Sequence, residues 1–301
     1  MLYTDAMWFI LSLTALSLLV LRRTNEKHLS STIDSSHLAW LQQFFGMPFI
    51  LATLLFTNFL WPTELSGHFW QLMLIYTLAS SLDMWCYFKA LSLADISYVA
   101  PLLSLVAIGN SIGAYFVLDQ PLTAWGILGG ASIIAGAYLT NRAKKGNTES
   151  KHRNKLALIY ILVLVLIRAY YSNIEVPMLQ EAGPILFNFY TSLFSIPVLF
   201  IVAIMIHKRK QTGHTVRKAL SQSRTNLKAL TVIGIAYTLN LLATFQAKLL
   251  APNAGYVGAV KSAQVLPMVL IGMFLFQEKI VRLQWIGLGI ICFGLFCMGM
   301  N

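Results

Sequence analysis

Residues Ala90–Thr140, ALSLADISYVAPLLSLVAIGNSIGAYFVLDQPLTAWGILGGASIIAGAYLT, and Ala247–Met298, AKLLAPNAGYVGAVKSAQVLPMVLIGMFLFQEKIVRLQWIGLGIICFGLFCM, follow one pattern about 158 positions apart. With one residue of slippage at the connecting turn, Phe88 falls on Phe245, Ala94 on Ala251, Tyr98 on Tyr256 and Ser104 on Ser262. Phe116 then meets Phe274, Gly129 meets Gly287 and Gly136 meets Gly294. The register holds across two long apolar segments and the turn between them, so the repeat belongs to the architecture. Doubling of this kind is a property of secondary transporters.

The chain has 301 residues, a mean hydropathy of +0.68 and only 11% charged residues. Soluble globular domains carry roughly a quarter charged residues, so this composition belongs in a bilayer. Apolar stretches of about 20 residues, enough to cross the hydrocarbon core, fall near 2–21, 37–58, 68–91, 96–118 and 122–141. Five more fall near 155–178, 184–206, 227–250, 254–276 and 281–300. Lipid offers unpaired backbone groups no water, so spans of this length are helices. The expected fold is an all-α integral membrane protein with ten transmembrane helices in two inverted five-helix repeats, residues 1–145 and 146–301. The polar run NRAKKGNTESKHRNK, Asn141 to Lys155, separates them. An odd number of spans per half makes the second copy enter the membrane from the opposite side.

The net charge is +11, and 18 of the 22 Lys and Arg sit in four connections. These hold Arg22, Arg23 and Lys27; six residues from Arg142 to Lys155; seven from Lys208 to Lys228; and Lys279 with Arg282. All four lie on one side of a ten-span chain. By the positive-inside rule that side is cytoplasmic, both termini are outside, and the protein is a multi-pass protein of the cell (inner) membrane. Basic loops facing anionic lipid require no nucleic acid. Trp8, Trp61, Trp70 and Trp125 near the outer span ends, and Trp40 and Trp285 near the inner ones, read as interfacial anchors. Without a basic region before it or a small-residue cleavage pattern after it, the first span reads as a retained helix.

Ionisable groups inside spans are costly and point to a pathway by default. Here they are Asp83, Lys89, Arg168, Glu175, Lys248 and Lys261. Tyr76, Ser80, Asp83 and Tyr87 share one face of the third span, as do Tyr237, Asn240, Thr244 and Lys248 on the eighth. The repeat lays Ser80 on Tyr237, Asp83 on Asn240 and Tyr87 on Thr244. Equivalent polar faces either line one central cavity for a small-molecule substrate or hydrogen-bond neighbouring helices. Arg168, Tyr171, Ser172 and Glu175 share a face of the sixth span, with Arg168 and Glu175 roughly 10 Å of helix rise apart. Arg168 therefore lines the cavity or makes a structural ion pair, and Glu175 either faces the same cavity or sits near the outer interface. Lys261, with Gln264 and Met268 on its face, reaches the cavity or snorkels outward; Lys89 reads as snorkelling at the cytoplasmic end. Asp83 and Glu175 are the deeply placed acids available for proton coupling, which a facilitator does not need.

Gly126 and Gly130 form a GxxxG, and Gly129 and Gly136 recur as Gly287 and Gly294. These small residues favour helix packing within the monomer over a dimer seam, which leaves monomer or homodimer open. Cys86, Cys292 and Cys297 lie inside apolar spans without CxxC spacing, and the six histidines lie in connections or at span ends. No metal site, no cofactor and no catalytic constellation is expected, so the protein does not read as an enzyme.

YFKALSLADISYVAPLLSL with LDQPLTAWGILGGASIIAGAYL, and FQAKLLAPNAGYVGAVKSAQVLPMVLIGMFLFQEKIVRLQWIGLGIICFGLF in the second half, resemble the repeat of EamA-type carriers of the drug/metabolite transporter superfamily. The resemblance implies ten helices, inverted halves, a central cavity and alternating-access movement of small organic solutes. The acid usual after the fourth and ninth spans is present as Glu278 but is Gln120 in the first half. Gly258–Lys261, GAVK, is similar to the lysine-bearing motif of related sugar-nucleotide and sugar-phosphate carriers. The sequence thus reads as a permease for a polar, anionic or zwitterionic metabolite. The alternative is a non-transporting receptor or scaffold whose buried charges only hold helices together.

Overall fold

The computed structural model describes residues 2–56, 64–118, 124–142, 148–210, 216–251, 254–278 and 280–299. In chain order the helices are α1 (Leu2–Leu29), α2 (Ser35–Phe56), α3 (Gly67–Leu93), α4 (Ile96–Leu103), α5 (Leu105–Leu118) and α6 (Ala124–Arg142). They continue as α7 (Thr148–Lys210), α8 (Val216–Thr225), α9 (Leu227–Leu250), α10 (Ala254–Ser262), α11 (Val265–Leu275) and α12 (Arg282–Gly299), with no strand among the described residues. Gln120, Trp61, Lys279 and the expected boundary between the halves lie outside the described residues.

The distribution of polarity is the reverse of a soluble protein's. Phe56, Phe116 and Phe274 are 88%, 76% and 73% exposed, whereas Glu26, Ser104 and Asn188 are fully buried. Met7–Leu29, Ser35–Phe56, His152–Ile206 and Leu227–Leu250 are each long and apolar enough to cross a membrane. An apolar exterior around a polar interior makes this a membrane protein, because lipid, unlike water, solvates such a surface.

Two helices expected to be single spans are broken at matching places. Pro101 has no N–H to offer the carbonyl of Ser97. The backbone tightens there: Ser104 N donates to Pro101 O at 3.2 Å, Ala107 N donates to Ser104 O at 3.0 Å, and α4 gives way to α5. Ser104 Oγ also donates to Pro101 O, at 2.5 Å. In the second copy Ala263 N donates to Val260 O and Gln264 N to Lys261 O, both at 3.2 Å, between α10 and α11. Each break falls beside one of the matched residues Ser104 and Ser262. A third break lies in α7, where Gly183 takes φ +72. That left-handed conformation costs glycine little, and it divides α7 into arms 148–182 and 184–210.

Pairwise packing sets the frame. α3 packs along α7, α1 along α9, α2 against both α7 and α9, and α6 along α12. The α6–α12 crossing depends on the repeated glycines. A Cβ on Gly136 would lie 2.5 Å from Gly287 O, and one on Gly294 would lie 2.6 Å from Gly129 O. Gly46 and Gly234 make the corresponding close approach of α2 to α9. Such contacts let backbones touch where lipid supplies no hydrophobic drive between helices.

Helix ends are tied down by side chains from other helices. Glu278 accepts from Ile96 N at 3.0 Å and Ser97 N at 2.9 Å, filling the orphan donors that start α4. Lys27 Nζ donates to Leu91 O at 3.1 Å and Ala94 O at 2.8 Å at the end of α3. The first turn of α3 is capped by Ser66 Oγ, which accepts from Phe69 N at 3.0 Å, and Ser66 itself donates to Glu181 of α7. Trp40 is not the anchor that its place near a span end suggested. It is 6% exposed, donates to His37 Nδ1 at 3.2 Å and meets Phe200 edge-on, because α2 there lies against the second arm of α7. Trp70, Trp125 and Trp285 do stay exposed.

Substituting Gly136→Val should destabilise the α6–α12 crossing by about 1–3 kcal/mol, as overpacking does. Thermal unfolding in detergent should show a lowered midpoint for Gly136→Val and none for Gly289→Val, whose added Cβ would meet nothing within 4 Å.

Candidate functional site

A cavity of ≈190 Å3 lies between α1, α2, α3, α4, α5, α7, α9, α10 and the break that follows α10. Tyr76, Ser80, Asp83, Tyr87, Arg168, Glu175, Tyr237, Asn240, Thr244, Lys248, Lys261 and Gln264 all line it. Their convergence follows from packing. α3 and α9 carry their polar faces inward, α7 lies against α3 and α1 lies against α9.

Three acids inside the cavity are each held by a cation. Arg168 of α7 clasps Asp83 of α3 through both carboxylate oxygens, with Nε 3.0 Å from Oδ1, and Tyr171 OH donates to Oδ2 at 3.1 Å. Lys248 of α9 pairs with Glu175 of α7, and Tyr76 OH donates to the other Glu175 oxygen at 3.1 Å. Arg22 and Glu26, one turn apart on α1, pair at 2.9 Å, and Tyr87 OH donates to Glu26 at 2.7 Å. Arg168 and Glu175 therefore share a helix face but bond to different partners. Glu175 is 5% exposed and faces the cavity rather than the outer interface.

The remaining candidates fill in around these pairs. Asn240 Nδ2 donates to Ala15 O at 2.6 Å, which ties α9 to α1, and Thr244 Oγ1 donates to Asn240 O at 2.6 Å. Ser80 Oγ donates within its own helix to Thr77 O at 3.3 Å. Arg22 lies over the Tyr237 ring, 5.3 Å from its centroid. Lys261 Nζ donates to Thr244 Oγ1 at 2.9 Å, so the lysine turns inward instead of snorkelling. Gln264 Oε1 is buried without a hydrogen-bond partner in the protein.

The cavity also holds residues that the sequence reading placed elsewhere or passed over. The charge pattern of the sequence places Arg22 and Arg23 in a cytoplasmic connection. α1 instead runs on to Leu29, so both arginines are helical and line the cavity, with Arg23 only 3% exposed. Glu26 is a third deep acid beside Asp83 and Glu175. The i, i+4 spacing of Arg22 and Glu26, continuing the face of Leu19, was the available signal. Asn110 is likewise new: its Oδ1 accepts from Ser172 Oγ at 3.0 Å, joining α5 to α7. Gln42 and Gln43 of α2, Thr191 and Ser195 of α7 and Ser262 of α10 add to the polar lining.

The EamA-like transporter family model matches residues 6–142 and again 155–300. The chain therefore belongs to the EamA-like transporter family. A relative from Sinorhizobium sp, named an uncharacterized transporter in the cobO 3' region, is 36% identical over 78 residues. That match spans 26% of this chain and 55% of the relative, about half its length. A solved crystal structure superimposes with a TM-score of 0.68 at 12% identity, covering 97% of this chain and 96% of that one, a likeness of fold alone. The protein is a transporter-like membrane protein.

Breaking one buried pair should cost more than removing both members. Asp83→Leu alone leaves the Arg168 guanidinium without its anion and should destabilise by about 3–5 kcal/mol. Adding Arg168→Leu should recover much of that loss. A double-mutant cycle read by thermal unfolding checks this, since simple additivity of the two losses would mean the pair is not coupled.

Proposed function

We propose that the protein is a secondary carrier that moves a small anionic or zwitterionic organic solute by alternating access between two inverted five-helix units, residues 1–145 and 146–301. In this reading the ten spans are α1, α2, α3, α4 with α5, α6, the two arms of α7, α9, α10 with α11, and α12. The doubled family match supports the division. So do the breaks beside Ser104 and Ser262, and the packing of α3 on α7 answered by that of α9 on α1. The basic connections face the cytoplasm of the cell membrane and both termini lie outside.

The observation that carries the reading is the convergence of polar side chains from both halves on one charged cavity. Discontinuous helices beside such a cavity are the usual setting of a transport site, because their freed backbone groups are tolerated only where they face protein or water. At ≈190 Å3 the cavity is smaller than the roughly 300–1,000 Å3 of drug-sized pockets, which favours a solute of few heavy atoms. The three internally paired acids also suit a receptor or scaffold, in which they would only fasten helices. Movement distinguishes the two readings.

In proteoliposomes loaded with candidate carboxylates and amino acids, wild-type protein should support counterflow, and Asp83→Asn and Lys261→Ala should reduce it by about 10-fold or more. Undiminished flux in both variants would remove these residues from the site. Single cysteines labelled from either face should change accessibility reciprocally when solute is added. A scaffold would show no such change.

A further inference from the structure

We propose that the solute is an elongated dianion, with one anionic group received by Arg23 and the other by Lys261; this rests on the carrier reading and names its substrate class. The first argument is a count of charge. Arg22, Arg23, Arg168, Lys248 and Lys261 line the cavity, against Glu26, Asp83 and Glu175. Each acid is already matched: Glu26 with Arg22, Asp83 with Arg168 and Glu175 with Lys248. Two cations remain. Among the described residues no carboxylate pairs with Arg23 or Lys261.

Neither cation is placed to shed its charge into bulk water. Arg23 is 3% exposed, its Nε and Nη1 have no hydrogen-bond partner in the protein, and its guanidinium lies 4.8 Å from the Tyr87 ring centroid. Lys261 Nζ has a hydroxyl, Thr244 Oγ1, where a buried ammonium is best served by an anion. A solute supplying two negative charges brings the lining to neutrality. A zwitterion does not, because its ammonium would find every acid in the cavity already engaged.

The second argument is distance. Lys261 is fixed at Thr244 of α9, while Arg23 lies at the Tyr87 ring of α3 and its neighbour on α1, Arg22, marks the level of Tyr237. Tyr237 and Thr244 are seven residues apart on α9, a rise of about 10 Å. A single phosphate group is too small to serve both ends. Asn240 and Leu241 lie between them on α9 and both line the cavity, so the wall there sets one amide beside an apolar contact for a hydrocarbon spacer. A linear α,ω-dicarboxylate has the required form.

The test uses the whole detergent-purified protein and ligand-induced thermal stabilisation. The probes are the dicarboxylates from succinate to suberate, the monocarboxylates of the same chain lengths, leucine, and inorganic phosphate. Dicarboxylates should stabilise, with affinity peaking at the longer members, and the other probes should do so at least about 10-fold more weakly. Arg23→Gln and Lys261→Gln should each lower the preference for dicarboxylate over monocarboxylate by about 10-fold or more, and Arg23→Lys and Lys261→Arg should retain it. Because preference is a ratio within one variant, a general loss of stability does not move it. If a variant fails to fold, the chain-length dependence of the wild type still decides.

Monocarboxylates, leucine or phosphate binding as well as the best dicarboxylate would overturn the proposal, as would unchanged preference in both glutamine variants. Dicarboxylate binding without liposome flux would overturn the carrier reading and leave the dianion site standing. Flux of a zwitterionic or neutral solute without dicarboxylate binding would do the reverse.

Discussion

A charge that leaves water for the interior of a membrane protein needs a partner, and the Arg168–Asp83 clasp shows how that requirement organises this molecule. Arg168 on α7 and Asp83 on α3 are 85 residues apart, so the pair forms only when those helices lie side by side. Lys248 and Glu175 impose the same condition on α9 and α7. A tyrosine hydroxyl adds one hydrogen bond to each acid, Tyr171 to Asp83, Tyr76 to Glu175 and Tyr87 to Glu26. A lipid-facing Leu or Phe gains little by moving against another helix. Polar ties and glycine crossings must then supply the specificity that burial supplies in a soluble core.

Rigid and yielding parts are separated along the same helices. The α6–α12 crossing, with backbone against backbone at Gly136 and Gly287, leaves no space for even a β-carbon between the helices. The ends of α3 and the start of α4 are held by Lys27, Ser66 with Glu181, and Glu278. Between those fixed points the helical hydrogen bonding tightens at Pro101–Ser104 and at Val260–Gln264, beside the cavity. In the carrier reading these are the places where half of a helix can tilt while the other half stays packed. Glu278 joins α11 to α4, so the two broken helices are coupled at that end of the bundle.

Much of the candidate site was legible because helical periodicity projects directly onto a face. Tyr76, Ser80, Asp83 and Tyr87 had to lie on one side of α3 once that segment was a helix, and their repeat partners had to do the same on α9. Partner choice was not legible in that way. Arg168 and Glu175 are near neighbours in sequence, yet each is satisfied by another helix, since about 10 Å of rise separates them while α3 and α9 lie alongside. Arg22, Arg23 and Glu26 were hidden by the convention that a span ends at its first charges. That convention fails when the helix continues into a protein-lined cavity instead of a headgroup layer. Trp40 misled for a related reason: nearness to a span end does not say whether a side chain points at lipid or at Phe200.

Composition and apolar run lengths by themselves determined that this is a helical membrane protein, because a bilayer accepts so few backbone solutions that chain chemistry alone selects one, and internal repetition in the sequence agrees with a family model that matches it twice. Which charges neutralise one another, where the spans break, and which cations of the cavity lack a carboxylate partner among the described residues were decided only in three dimensions. Those outcomes depend on distances of a few ångströms between residues up to hundreds of positions apart, such as Ile96 and Glu278, and periodicity along one helix carries no information about its neighbour.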